Sequence, residues 1–212
     1  MSPRKTFERL PLAKKERVLE AALHEFAQHG YGGASINRMV ERAGIAKGSV
    51  FQYFGDKEGI FAAVFSHSLH QVKNALRRIR DDADDTDIFN RIERVFHTGL
   101  AFTQNHPLVY RLYTHLITAS DIPQRDLLLS SLRSEGKFFL GEILQAAMER
   151  GEIRSDLPMD EALFLLEAVM DRFLMATVMP CLESDFLHES SPKDRVRGFI
   201  RILRHGMAPE KP

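Results

Sequence analysis

The chain has 212 residues, enough for one large core or two small ones, with 29 basic and 29 acidic side chains. Cys181 is the only cysteine, which excludes an intrachain disulfide or a cysteine cluster and suits a reducing cytoplasm. No apolar run approaches the roughly 18 residues that span a bilayer, and no signal-peptide core follows Met1–Lys5, so a soluble cytoplasmic protein without a membrane partner is expected.

The balanced total hides a polarity. Residues 1–60 hold 10 basic and 7 acidic side chains, whereas the remainder holds 19 and 22. A basic front on a mildly acidic body fits a protein that docks one end on a polyanion.

Residues 1–12 are polar, contain Pro3 and Pro11, and carry Arg4, Lys5 and Arg9, which reads as a flexible basic arm. A helix is expected from Ala13 to His29, with Val18, Leu19, Ala22, Leu23 and Phe26 inward and Gly30 as its stop. Tyr31-Gly32-Gly33 is a turn, and Ser35 is an N-cap for the next helix. Ile36, Met39, Val40 and Ala43 then recur at helical spacing. Gly44 supplies the left-handed position that ends a helix without a Cβ penalty. In the following short helix Val50 and Phe54 lie four apart on the inner face. Two short helices joined by a tight glycine turn form the helix-turn-helix unit, whose second helix enters the DNA major groove.

With Val50 inward, Gly48, Ser49 and Gln52 fall on the opposite face, flanked by Lys47 and Tyr53. Gln52 has the chemistry to bond adenine in a bidentate manner, and Ser49 to serve several bases or a phosphate. Gly48 lets the backbone come close to DNA.

Beyond Gly55, Asp56 caps a helix running through Phe61, Val64, Phe65, Leu69, Val72 and Leu76 to about Arg80. Lys57 opposes that helix's dipole unless an anion lies nearby. Asp81-Asp82-Ala83-Asp84-Asp85 reads as a solvated linker. Further helices are expected over about 86–105, 108–120, 123–150 and 158–179, with a last one from Ser191-Pro192 to Gly206. No strand pattern, internal repeat or low-complexity tract is present.

The run Phe26-Ala27-Gln28-His29-Gly30-Tyr31-Gly32-Gly33-Ala34-Ser35-Ile36, then Ala43-Gly44-Ile45, then Phe51-Gln52-Tyr53-Phe54-Gly55-Asp56-Lys57-Glu58 resembles the TetR/AcrR family of bacterial transcriptional regulators. The likeness covers roughly residues 13–62. It implies an all-α fold of about nine helices. Three N-terminal helices would bind DNA, and a larger helical domain would serve ligand binding and dimerisation. The domains are then a DNA-binding domain at 13–58, a ligand-binding and dimerisation body at 59–207, and a tail at 208–212. The resemblance also puts the Ser35 hydroxyl near the DNA backbone and Lys57 on a phosphate. Three positions depart from the family pattern. Ala46 stands where Ser or Thr usually caps the recognition helix, Phe51 replaces a tyrosine, keeping its packing role without its hydroxyl, and Gln52 replaces an aromatic or basic residue.

In the body, Phe65, Phe96, Leu100, Tyr110, Tyr113, Phe138, Phe139, Met170 and Phe173 are candidates to line an apolar effector between facing helices. Most bulky residues of this kind must simply form core. Val196, Phe199, Ile200 and Leu203 make an i, i+3, i+4, i+7 stripe. Ile202 widens that stripe, and with Ala168, Val169, Phe173, Ala176 and Thr177 on the preceding helix these residues are expected to form a twofold, four-helix dimer face.

The leading expectation is therefore a repressor that binds a palindromic operator as a homodimer and is released by a small, largely apolar effector. Two alternatives are a ligand-independent DNA-binding protein and an all-α enzyme. Enzyme signals are weak. His24 and His29 are five apart, about 140° around the helix, whereas the zinc motif His-Glu-x-x-His keeps its ligands four apart. No phosphate loop, nucleophile elbow or dinucleotide fingerprint occurs, and neither a cofactor nor a metal is expected.

Overall fold

A computed structural model describes residues 5–80, 87–179, 181 and 190–207. The expected linker run 81–85 and tail 208–212 lie outside the described residues. Ten helices are described: α1 Lys5–Glu8, α2 Leu12–Gly33, α3 Ile36–Ala43, α4 Lys47–Phe54, α5 Lys57–Arg80, α6 Ile88–Asn105, α7 Pro107–Thr118, α8 Arg125–Glu149, α9 Met159–Val178 and α10 Pro192–Met207. No strand occurs among the described residues, and the fold is all-α. No described helix is long and apolar enough to cross a membrane.

The chain forms two compact units. One holds the described residues to Val72 together with His106–Ser131; the other holds Lys73–Asn105 and the described residues from Leu132 onward. This partition does not follow the expected division at 58/59. The physical reason is α7, which bonds to the end of α2. The His115 ring nitrogen Nε2 lies 3.1 Å from the Ala27 carbonyl, and Arg111 donates to Gln28 Oε1 at 3.1 Å.

The core of the first unit is aromatic. Phe26, Phe61 and Tyr31 meet with ring centroids 5.0–6.1 Å apart, which fixes α2 against the start of α5. Gly30 interrupts α2 as expected, with non-helical backbone before a last short turn to Gly33.

The core of the second unit gathers Ile88, Ile92 and Phe96 of α6 with Leu140, Ile143 and Leu144 of α8, Leu166 and Phe173 of α9, and Val196, Ile200 and Leu203 of α10. Its ends are tied by charge. Glu152 accepts the first backbone N–H of α6, from Ile88, at 2.7 Å, and Arg204 donates to Asp87 at 2.6 Å while covering the Phe89 ring.

Candidate nucleic-acid interface

The site begins with how α3 stops. Gly44 is left-handed at φ 63°, and two backbone bonds close the helix end: Gly44 N–H to Glu41 and Ile45 N–H to Val40. A residue with a Cβ is disfavoured in this conformation, so the turn is written into the sequence. Met39 and Ala43 bury the inner side of α3, and Val50 and Phe54 bury that of α4.

Ser35 occupies the N-cap position of α3, but its side chain makes no capping bond. Its backbone N–H instead donates to Glu25 Oε1 at 2.9 Å. Arg38 Nε donates to the same oxygen at 2.8 Å, and Arg38 also reaches the Gly33 carbonyl at 2.8 Å. Burial pulls the Glu25 carboxyl pKa upward. The bonds from Arg38 and Ser35 outweigh that pull and hold it below the ordinary carboxylate value. Sequence reading missed this pair, because one carboxylate in α2 carries no periodic signal.

α4 starts at Ala46, which gives no side-chain cap, as its methyl group requires. Its outer face is open: Lys47, Gly48 and Gln52 are exposed, and Ser49 is half-buried. Two expectations fail here, for one shared reason. Residues 5–10 are not a loose arm, because Phe7 is buried with its ring centroid 4.7 Å from that of Phe54 and 5.7 Å from that of Tyr53. Thr6 Oγ1 adds a bond to the Gln52 carbonyl at 3.1 Å. Tyr53, expected to flank the outer face, is consequently 7 % exposed, and Phe51 on the same helix is 41 % exposed.

Asp56 caps α5 as expected, its Oδ1 accepting the Gly59 N–H at 2.8 Å. A Cβ at Gly59 would collide with the Phe54 carbonyl oxygen, so the α4–α5 turn needs glycine there. The Lys57 ammonium donates to the Gly32 carbonyl at 3.2 Å and sits 4.9 Å from the centre of the Tyr31 ring. It therefore answers to protein partners, with further N–H donors remaining on the same nitrogen.

The nine candidate effector-lining residues do not share one compact unit. Phe65, Tyr110 and Tyr113 belong to the first, and the other six to the second. Phe96, Leu100, Phe139 and Phe173 are buried in the second unit's packed core, with Met170 against it. Phe138 is 63 % exposed, unlike the other candidates of the second unit. A cavity of about 350 Å³ at the α7–α8 corner, lined by Ser120, Ile122, Gln124, Arg125, Asp126 and Leu127, includes none of the nine.

Of the expected dimer face, Val196, Ile200, Leu203, Phe173 and Ala176 are buried within the chain itself, whereas Phe199, Val169 and Thr177 are half-buried. Phe199 rings with Phe173 and Phe96 at centroid distances of 5.3 and 6.0 Å. Val169 also packs on this core, and Thr177 is half-buried with its hydroxyl bonded to the Leu174 carbonyl. A periodic stripe names an apolar face; it does not name what covers it.

A helix, a left-handed glycine turn and a second helix with an open polar face define a helix-turn-helix DNA-binding protein. Residues 18–64 match the family model of bacterial regulatory proteins of the tetR family. The chain is 30% identical over 170 residues to the HTH-type transcriptional repressor SCO4008 of Streptomyces coelicolor, covering 80% of this chain and 81% of that one. A TetR family transcriptional regulator from Chloroflexus aurantiacus superposes with a TM-score of 0.73 at 27% identity, over 99% of this chain and 100% of that chain. The transcriptional regulator FadR from Bacillus subtilis, solved in complex with stearoyl-CoA, shares the fold with a TM-score of 0.73 at 17% identity, over 88% of this chain and 96% of that chain. The chain belongs to the TetR family and is a DNA-binding transcriptional regulator. Its relatives are named as repressors and regulators, not as enzymes.

Proposed function

We propose that this regulator is a repressor that binds a palindromic operator as a homodimer and lets go when a small, largely apolar effector binds its body. The supporting observation is the open face of α4, where Lys47, Gly48 and Gln52 are exposed beside half-buried Ser49. Two such helices in one dimer enter successive major grooves, with half-site centres about 10 bp apart or a little more. Gln52 reads adenine, Lys47 and Lys57 meet phosphates, and the uncommitted Ser35 hydroxyl serves the DNA backbone. Such a regulator works in the cytoplasm, which suits a chain with one cysteine.

Dimerisation is supported by apolar side chains left exposed on the last two described helices. Phe164 is 71 % and Ile202 70 % exposed, beside exposed Leu165 and Ala168. Gly198 and Gly206 flank Ile202 at four-residue spacing with open space over each, so a second helix can lie close. The effector reading draws on the aromatic body and on the stearoyl-CoA carried by the FadR relative. Release requires the effector to prefer the conformation that cannot bind DNA.

Selection of random duplexes by the purified protein tests this reading. A palindromic consensus, bound by two chains, is the expected result. Enrichment of no sequence by a folded dimer would contradict it.

A further inference from the structure

α4 is a helix whose own sequence holds it poorly. It has eight residues, against the roughly 12–15 at which isolated helices become even marginal in water. Ala46 gives its start no side-chain cap, Gly48 sits in its first turn, and β-branched Val50 follows. Its order therefore depends on what touches it from outside.

Part of that support falls on its last turn and comes from α1. The final carbonyls of a helix have no partner within it. Gly55 N–H answers the one at Phe51, and the next, at Gln52, accepts the Thr6 hydroxyl at 3.1 Å from 46 positions earlier in the chain. Phe7, beside Thr6, is buried with its ring against those of Tyr53 and Phe54. Two adjacent residues of α1 thus hold residues 52, 53 and 54 of α4.

The held carbonyl belongs to the residue whose side chain is placed to read a base. Fixing the backbone at Gln52 fixes the origin of its amide, which must meet an adenine edge within hydrogen-bond tolerance. A helix ordered before it meets DNA also leaves less ordering cost for binding. Thr6 and Phe7 precede the residues 18–64 that match the family model, so the matched region does not supply this support.

We propose that Thr6 is a positioning residue for base reading: its hydroxyl, together with the Phe7 ring, braces the last turn of α4 and so sets where the Gln52 amide stands, without touching DNA itself. This inference rests on the operator reading above, and its test separates the two.

The test compares the wild type with Thr6→Val, which keeps the shape and loses the hydroxyl, and with Thr6→Ser, which restores it. Thr6 is exposed, so both variants should keep the wild-type helical content. Hydrogen exchange of the DNA-free protein is read first. In Thr6→Val the amides of residues 51–55 should exchange about three- to tenfold faster, the worth of one hydrogen bond, while those of α2 and α6 stay unchanged. Affinities are then measured by fluorescence anisotropy for an operator selected by the wild type and for a random duplex of equal length. Thr6→Val should bind the operator about three- to tenfold more weakly and the random duplex as well as the wild type does. Thr6→Ser should recover both the slow exchange and the operator affinity. Unchanged exchange in α4, an equal loss on both duplexes, or no recovery in Thr6→Ser would overturn the inference while leaving the operator reading intact. A folded wild type that selects no duplex would overturn both.

Discussion

Glu25 and Arg38 bind the first long helix to the first helix of the DNA-reading pair. One buried carboxylate oxygen of Glu25 accepts both the Arg38 Nε–H at 2.8 Å and the Ser35 N–H at 2.9 Å. The pair ties α2 to the start of α3, from which the Gly44 turn leads into α4.

Glu25→Gln removes the charge while keeping the shape. We expect a loss of about 1–3 kcal/mol by chemical denaturation, from a weakened charge-assisted bond near a buried N–H. The pH dependence has a definite sign. Because the folded carboxyl pKa lies below its ordinary value, its stabilisation is fully present above the unfolded pKa of about 4.3. It is lost as pH falls through the lower folded value. Glu25→Gln should therefore lose less stability than the wild type between neutral and acid pH, and an unchanged acid limb would remove Glu25 from this role.

Phe7→Ala should unfasten α1 from α4. Phe7 is buried against Tyr53 and Phe54, so a cost of about 3 kcal/mol is expected. A change below about 0.5 kcal/mol, typical of surface sites, would return residues 5–10 to a loose arm.

Two glycines of the reading head should behave oppositely. Gly59→Ala forces a methyl into the Phe54 carbonyl and should lower the melting temperature, whereas Gly48→Ala meets open space and should leave it unchanged or raised. If the α4 backbone approaches DNA at Gly48, the second variant should nevertheless lose operator affinity. Full affinity would show that no close approach occurs there.

Lys57→Ala separates two roles. Loss of the Gly32 bond and the Tyr31 contact should cost about 1 kcal/mol of stability. If Lys57 also meets a phosphate, the slope of log affinity against log salt should fall by about one unit on every sequence. An unchanged slope in a folded variant confines the lysine to the protein.

Exposed and buried residues of the last helices should part company in sedimentation. Phe164→Glu or Ile202→Arg should give a folded monomer, since both side chains are exposed in the single chain. Ile200→Ala, inside the core, should instead cost about 2–5 kcal/mol of monomer stability. A dimer unaffected by both charged variants would place the contact elsewhere.

Much of this architecture was legible in the residues. Gly44 between two apolar stripes is a local signal, and it gave both the turn and the helices on either side. Tyr53 was legible in principle. It lies about 60° from inward Val50, whereas Phe51 lies about 100° away, so the tyrosine is the better placed to be buried. What decided the matter was Phe7, one of two apolar residues between Pro3 and Pro11, whose partners lie more than 40 residues along the chain. The stripe on α10 was equally visible, but its period is satisfied by an intrachain core or by another copy. Glu25 and Arg38 meet only after folding.

Base reading by the outer face of α4 is tested by repeating the duplex selection with Gln52→Ala beside the wild type. We expect the same half-site spacing, with the preference lost at one or two positions and adenine among them. An identical consensus from both proteins, at whatever affinity, would contradict it.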